Sequence, residues 1–111
     1  MNRLYSIVIA GYKDTSRKTL AAALAQDIAP GVDFEVLMLD NTTDSRHEAM
    51  AKALFETQPS RAIRKLYLPH RIPGKAEAQN EGIRAAQGTH YIFLDDDVLP
   101  EPTLVLQYDE A

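Results

Sequence analysis

An α/β fold, arranged as a three-layer sandwich around a mainly parallel sheet with strand order 3-2-1-4, is what this sequence predicts. Three observations carry the prediction. Short apolar runs rich in β-branched residues alternate with segments whose apolar residues recur at helical spacing, strand then helix three times and then a final strand. The connections between them are short, as right-handed crossovers between parallel neighbours allow. Three of the strands run into polar clusters: Gly11-Tyr12-Lys13, Asp40-Asn41 and Asp95-Asp96-Asp97. Ligands of open α/β sheets gather at that C-terminal edge.

The elements follow in order. Leu4-Tyr5-Ser6-Ile7-Val8-Ile9-Ala10 reads as a central strand, buried on both faces. Gly11-Tyr12-Lys13-Asp14 is a turn, and Thr15 or Ser16 can cap the next helix. Leu20, Ala21, Leu24 and Ile28 predict a helix over 17–28, closed by Pro30-Gly31. Phe34-Glu35-Val36-Leu37-Met38-Leu39 is the second strand and delivers Asp40 and Asn41 to its end. Ala49, Met50, Ala53 and Leu54 form the apolar stripe of a second helix. Residues 63–68 form a third strand, and the Arg64-Lys65 pair places it at a solvated sheet edge. A loop carrying His70 and Arg71 leads to a third helix over 75–87, with Ala78, Ile83 and Ala86 inward and Gly88 as its stop. Residues 89–94 form the fourth strand, and a further helix is expected to begin near Pro102. The Rossmann-like order 3-2-1-4 places the ends of strands one, two and four around one crevice.

The acidic run is the most informative stretch. Three adjacent carboxylates repel one another unless a cation neutralises them, and hard divalent cations take carboxylate oxygens. An isolated acidic run is more often a solvated turn. The convergence of three polar clusters on one edge favours a ligand site instead. Carboxylates on both sides of a crevice suit a ribose and base on one side and a cation-bridged diphosphate on the other. Lys13, Arg71 and Lys75 are the nearby basic candidates. No glycine-rich dinucleotide fingerprint or phosphate-binding loop follows the first strand, which argues against dinucleotide cofactors and ATP hydrolysis.

Composition narrows the field. The 111 residues fit one domain, and 45% hydrophobic with 25% charged content is ordinary for a globular chain. A net charge of −4 argues against nucleic acid as a partner. The absence of cysteine excludes disulfides and thiolate metal sites. No apolar run reaches membrane-spanning length. Residues 4–10 continue into a polar turn and read as a strand, not a signal peptide. The expected location is the cytoplasm.

These residues resemble family-2 glycosyltransferases. Ser6-Ile7-Val8-Ile9 with Tyr12-Lys13-Asp14 looks like the strand and Pro-x-Tyr-Asn turn that open the family. Leu39-Asp40-Asn41-Thr42-Thr43-Asp44 looks like its Asp-Asn-Gly-Ser-x-Asp turn. The stretch from Gly74-Lys75 through Asn80-Glu81-Gly82-Ile83 to Gly88 is similar to its Arg-Asn-x-Gly-Ile helix, and Asp95-Asp96-Asp97-Val98-Leu99-Pro100 to its Asp-x-Asp motif. The sequence departs from the pattern at Ala10-Gly11, in place of Pro and a small residue. It departs again at the Asp40 turn, one residue short, and at Gln79 in place of arginine.

The resemblance implies a GT-A fold that binds a nucleoside diphosphate sugar of UDP or GDP type with Mn²⁺ or Mg²⁺. By position, Asp40 contacts the base or ribose, with Asn41 beside it, and Lys75 is a further nucleotide-sugar-binding candidate. Asp95 and Asp96 contact ribose and sugar, Asp97 ligates the metal, and Ala10-Gly11-Tyr12 packs along the nucleotide. In the family the acceptor half and the catalytic-base carboxylate lie further along. The expectation is therefore a donor half, with Asp109 and Glu110 a frayed acidic tail rather than the base. Its uncovered apolar surface or the fourth strand's edge is expected to form a homodimer.

Two other readings stand beside this one. One is a non-catalytic nucleotide-binding or protein-interaction domain of the same fold; the other is a structural domain whose acidic turn binds nothing. Among remaining candidates, Tyr12 sits where it could stack on a base, while Tyr67 and Tyr91 read as sheet packing. His47, His70 and His90 show no metal-ligand spacing.

Overall fold

Four parallel strands form one sheet in the order β3-β2-β1-β4, as expected. The computed structural model describes residues 2–11, 16–40, 45–69 and 75–110. The strands are β1 (Arg3–Gly11), β2 (Val32–Asp40), β3 (Arg64–Pro69) and β4 (His90–Asp95). The helices are α1 (Ser16–Leu24), α2 (Ser45–Thr57), α3 (Lys75–Ala85) and α4 (Leu104–Glu110).

The strand sequences match their places. β1 and β2 are central and buried along most of their length, so they read as apolar runs rather than as alternation. β4 is an edge strand and alternates. Ile92 and Leu94 face the core, while Tyr91 and Phe93 are 40% and 41% exposed.

Helices α1, α2 and α4 cover one face. Leu20, Ala23, Leu24, Ala51 and Val105 meet the sheet residues Ile7, Ile9, Phe34, Val36, Met38, Ile92 and Leu94 there. Helix α3 covers the other face, where Ala78 and Ala85 lie against Val8, Ala10, Leu37 and Leu39. Each fully buried large side chain, such as Phe34, contributes about 1.5–3 kcal/mol. The first face holds most of them and dominates the stability.

Several helical expectations need correction. Helix α1 ends at Leu24, not Ile28, because tertiary bonds take over. Gln26 donates through Nε2 to the Glu101 carbonyl at 2.6 Å and accepts from the Val105 N–H at 3.0 Å, while the Asp27 N–H bonds the Pro102 carbonyl. Gln26 thus caps the start of α4 instead of continuing α1. The inward face of α2 is Met50, Ala51, Leu54 and Phe55; Ala49 and Ala53 face solvent. On α3, Ile83 points outward and Gly82 inward. A Cβ on Gly82 would lie 2.6 Å from Val8 Cγ1, so the helix sits too close to the sheet for a larger residue.

Arg64 is not a solvated edge residue. Its guanidinium reaches under the sheet to Glu35 at 3.0 Å and to the Ala85 carbonyl at 3.1 Å. Glu35 is fully buried and also accepts from Ser6 Oγ and from the backbone N–H groups of Gln87 and Gly88. Burial pushes this carboxyl up, but the bonds from Ser6, Gln87, Arg64 and Gly88 outweigh it and hold it below the usual range. The network fastens the end of α3 to the middle of the sheet.

The acidic end of α4 is not frayed. Asp109 receives two bonds from Arg3, at 2.6 and 2.9 Å, and one from the Tyr5 hydroxyl at 2.8 Å. Tyr5 in turn stacks on His90 with ring centroids 4.8 Å apart. These contacts hold α4 to the N-terminal edge of the sheet.

Candidate functional site

The C-terminal edge is level across the sheet. Gly11 pairs with Asp40, Asp40 with Pro69, and Ala10 with Asp95. Asp40 and the acidic turn therefore stand on either side of the end of β1. Tyr12, Lys13, Asn41, Asp44, His70 and Arg71 lie outside the described residues, as does the side chain of Lys75, which opens α3.

Strand alternation sorts the carboxylates. Asp40 follows Phe34, Val36 and Met38 on the face covered by α1 and α2. It is 1% exposed. The Tyr67 hydroxyl donates to its Oδ2 at 2.6 Å, and His47 Nδ1 lies 3.5 Å from its Oδ1. Tyr67 is thus more than sheet packing, and His47 is half-buried beside the site rather than on an open surface.

Within the acidic run, Asp95 and Asp97 are exposed, while Asp96 is 8% exposed. Asp96 turns toward Gly11 and α1. A Cβ on Gly11 would overlap the Cβ of Asp96 and lie 2.8 Å from Ser16 Oγ, so only glycine fits where β1 meets the acidic turn. The Val98 N–H bonds the Asp95 carbonyl at 3.2 Å and closes a β-turn with Asp96 and Asp97 at its centre. From α1, the Thr19 hydroxyl lies 3.1 Å from the Asp96 carbonyl and 2.6 Å from the Val98 carbonyl. One turn earlier, Ser16 Oγ is buried and, among the described residues, is the side-chain atom left without a hydrogen-bond partner. Such an atom in a folded chain calls for an explanation, and a ligand is one.

A cleft of about 330 Å³ opens between the starts of α1 and α2, lined by Arg17, Arg46, His47 and Met50. His47 connects it to Asp40. The edge thus offers an acidic wall at the β4 turn and basic groups on the α1–α2 side. Among the described residues, no cluster of three or more His, Cys, Asp or Glu stands ready to hold a metal ion.

Sequence reasoning missed Thr19 and gave Tyr67 and Ser16 other roles, sheet packing and helix capping. Tyr67 was within reach, because Met38 pairs with Tyr67 and so places it on the same sheet face as Asp40. Thr19 carried no signal, and Ser16 reads from the sequence only as a helix cap, a role its hydroxyl does not fill, since it has no hydrogen-bond partner among the described residues.

These features define an open α/β domain with a polar, carboxylate-bearing C-terminal edge. The family profile described as glycosyl transferase family 2 matches residues 6–108, and the chain belongs to that family. Solved structures share the fold. The S. aureus TarS fragment 1–349 superposes with a TM-score of 0.77 at 16% identity, over 99% of this chain and 32% of that one. Mannosyltransferase PcManGT from Pyrobaculum calidifontis, in complex with GDP-Man and Mn²⁺, gives 0.73 at 22% identity, over 92% of this chain and 30% of that one. The same TarS fragment in complex with UDP-GlcNAc gives 0.65 at 20% identity, over 99% of this chain and 30% of that one. The chain therefore spans about a third of the length of these structures. No curated protein sequence matches it significantly. No helix among the described residues is long and apolar enough to cross a membrane.

Proposed function

We propose that this chain binds a nucleoside diphosphate sugar at the C-terminal edge of its sheet, as the donor-binding part of a glycosyltransferase. The observation that carries the reading is the meeting of Asp40 and the 95–98 turn across Gly11. Asp40 takes a base N–H or ribose hydroxyl, oriented by Tyr67 and His47. Ala10 and Gly11 lie along the nucleotide, with Tyr12 next in sequence a candidate contact. Asp95 and Asp96 face ribose and sugar, and Lys75 is a candidate for the diphosphate. The basic cleft beside His47 suits the carbonyl oxygens of a base. Family membership and the nucleotides bound by the structural relatives, UDP-GlcNAc and GDP-Man, support the same assignment.

The donor set fits a hard divalent cation, Mn²⁺ or Mg²⁺. Such ions are bound through one or two carboxylates, with substrate phosphates and water completing the shell. Asp97, exposed beside Asp95, supplies that number without a larger protein cluster. The cation, when bound, neutralises the diphosphate and the charge of the leaving group.

Asp109 takes no part as a base, since Arg3 and Tyr5 hold it at the other edge of the sheet. The test is calorimetry with UDP and with GDP, each with Mn²⁺. Cation-dependent binding that is lost in Asp97→Ala is expected. Absence of binding to either nucleotide sinks the reading. Binding without sugar transfer or donor hydrolysis points to a non-catalytic nucleotide-binding domain.

A further inference from the structure

We propose that Thr19 is the positioning residue for the acidic turn and, through it, for the Asp97 carboxylate. The proposal rests on the nucleotide-sugar reading above. Asp97 is joined to its neighbours by two peptide units. The 96–97 unit is held by its carbonyl against Thr19 Oγ1 at 3.1 Å. The 97–98 unit is held by its N–H against the Asp95 carbonyl at 3.2 Å. The next unit, 98–99, is held by its carbonyl against Thr19 Oγ1 at 2.6 Å.

The single hydroxyl proton goes to the Val98 carbonyl at 2.6 Å and is shared with the Asp96 carbonyl at 3.1 Å, so one side chain bears on carbonyls on both sides of Asp97. Both turn residues carry carboxylates, and the turn's own closing bond is long. Thr19 is 1% exposed, so water has little access to replace its hydroxyl. The direction of the Asp97 side chain follows from the backbone dihedrals these bonds fix. A cation held by so few protein ligands depends on that direction.

Ser16 lies on the same face of α1, one turn earlier, with its hydroxyl beside Gly11 and Asp96. The start of α1 is thus a seat for the acidic turn. One of its hydroxyls is engaged with the turn's main chain, and the other has no hydrogen-bond partner among the described residues.

The test compares Thr19→Val, which keeps the shape and removes the hydroxyl, with Thr19→Ser, which keeps it. Ser6→Ala, in the Glu35 network in the middle of the sheet, away from the ligand edge, controls for general destabilisation. Three quantities are read: Mn²⁺-dependent affinity for UDP and GDP, the melting temperature, and amide hydrogen exchange at Val98 without ligand. Thr19→Val is expected to weaken nucleotide affinity about tenfold, as loss of one buried hydrogen-bonding group does. It also speeds exchange at Val98. Thr19→Ser stays within about twofold of the parent, well inside the loss of such a bond. Ser6→Ala lowers the melting temperature without loss of affinity. Wild-type affinity in Thr19→Val, or a loss no greater than in Ser6→Ala, overturns the proposal and leaves the functional reading standing. A parent chain that binds neither nucleotide overturns both.

Discussion

The Tyr67 hydroxyl donates to Asp40 Oδ2 at 2.6 Å, reaching across the β2–β3 pair from two residues down the edge strand. A carboxylate buried to 1% exposure depends on such donors. Tyr67→Phe keeps the ring packing and removes the donor. It is expected to cost about 1–2 kcal/mol in urea unfolding and to weaken nucleotide binding. Unchanged stability would show that Asp40 is satisfied without it.

Acid should unfold the chain through two carboxylates with lowered pKa. Arg3 and Tyr5 hold the Asp109 carboxyl down to about 2, from an ordinary 3.8. Glu35 is lowered as well, since its hydrogen bonds overcome burial. A lowered carboxylate contributes stability that is full above its unfolded pKa and lost as pH falls through the folded one. For Asp109 that window runs from pH 3.8 down to about 2. Asp109→Asn should flatten the acid limb of a stability-versus-pH curve there. A limb identical to the parent's would refute the assignment.

Gly11→Ala forces a Cβ into the Cβ of Asp96. The strand end and acidic turn must then separate. Overpacking of this kind costs about 1–3 kcal/mol, read by thermal melting. Nucleotide affinity should fall with it, because the turn moves as a unit.

Ser16→Ala should act in the opposite sense on stability. Its buried hydroxyl has no partner among the described residues, and an unsatisfied group of this type costs about 1–3 kcal/mol. Removing it is expected to raise the melting temperature of the ligand-free chain. A fall in nucleotide affinity in the same variant would identify the hydroxyl as a ligand contact.

Tyr91 and Phe93 present an apolar strip on β4, their ring centroids 6.4 Å apart, on a strand with one sheet neighbour. Association through this strip or the strand's edge should make sedimentation depend on concentration. Phe93→Lys should abolish that dependence. A parent chain monomeric at high concentration would refute it.

The strands and their order were legible because both central strands are apolar and end in polar residues at matching positions. Helix faces were not. In α2, the sequence puts Ala49 and Ala53 in the stripe with Met50 and Leu54, but alanines lie on two adjacent faces and packing takes Ala51 and Phe55 instead. In α3, Ile83 looked like the inward residue, yet the helix comes so close that Gly82 takes that place. Arg64 looked solvated because its partner, Glu35, lies 29 residues away on another strand. At the site, Asp40 and the acidic run stood out as clusters of charge. Thr19 did not, because its role lies in which carbonyls a fold brings to its hydroxyl. Tyr67 needed only the strand register.

The clasp between Arg3 and Asp109 joins residues 106 positions apart. It brings both ends of the described chain together at the edge away from the proposed site. The entropy lost in closing a loop grows only slowly with its length, so a short peptide tether could take over the work of the ion pair. A circularly permuted chain, joined there and opened at an exposed loop, should keep its sheet register and its ligand edge. Residues 3–109 form, in effect, a ring held shut by a carboxylate and a guanidinium.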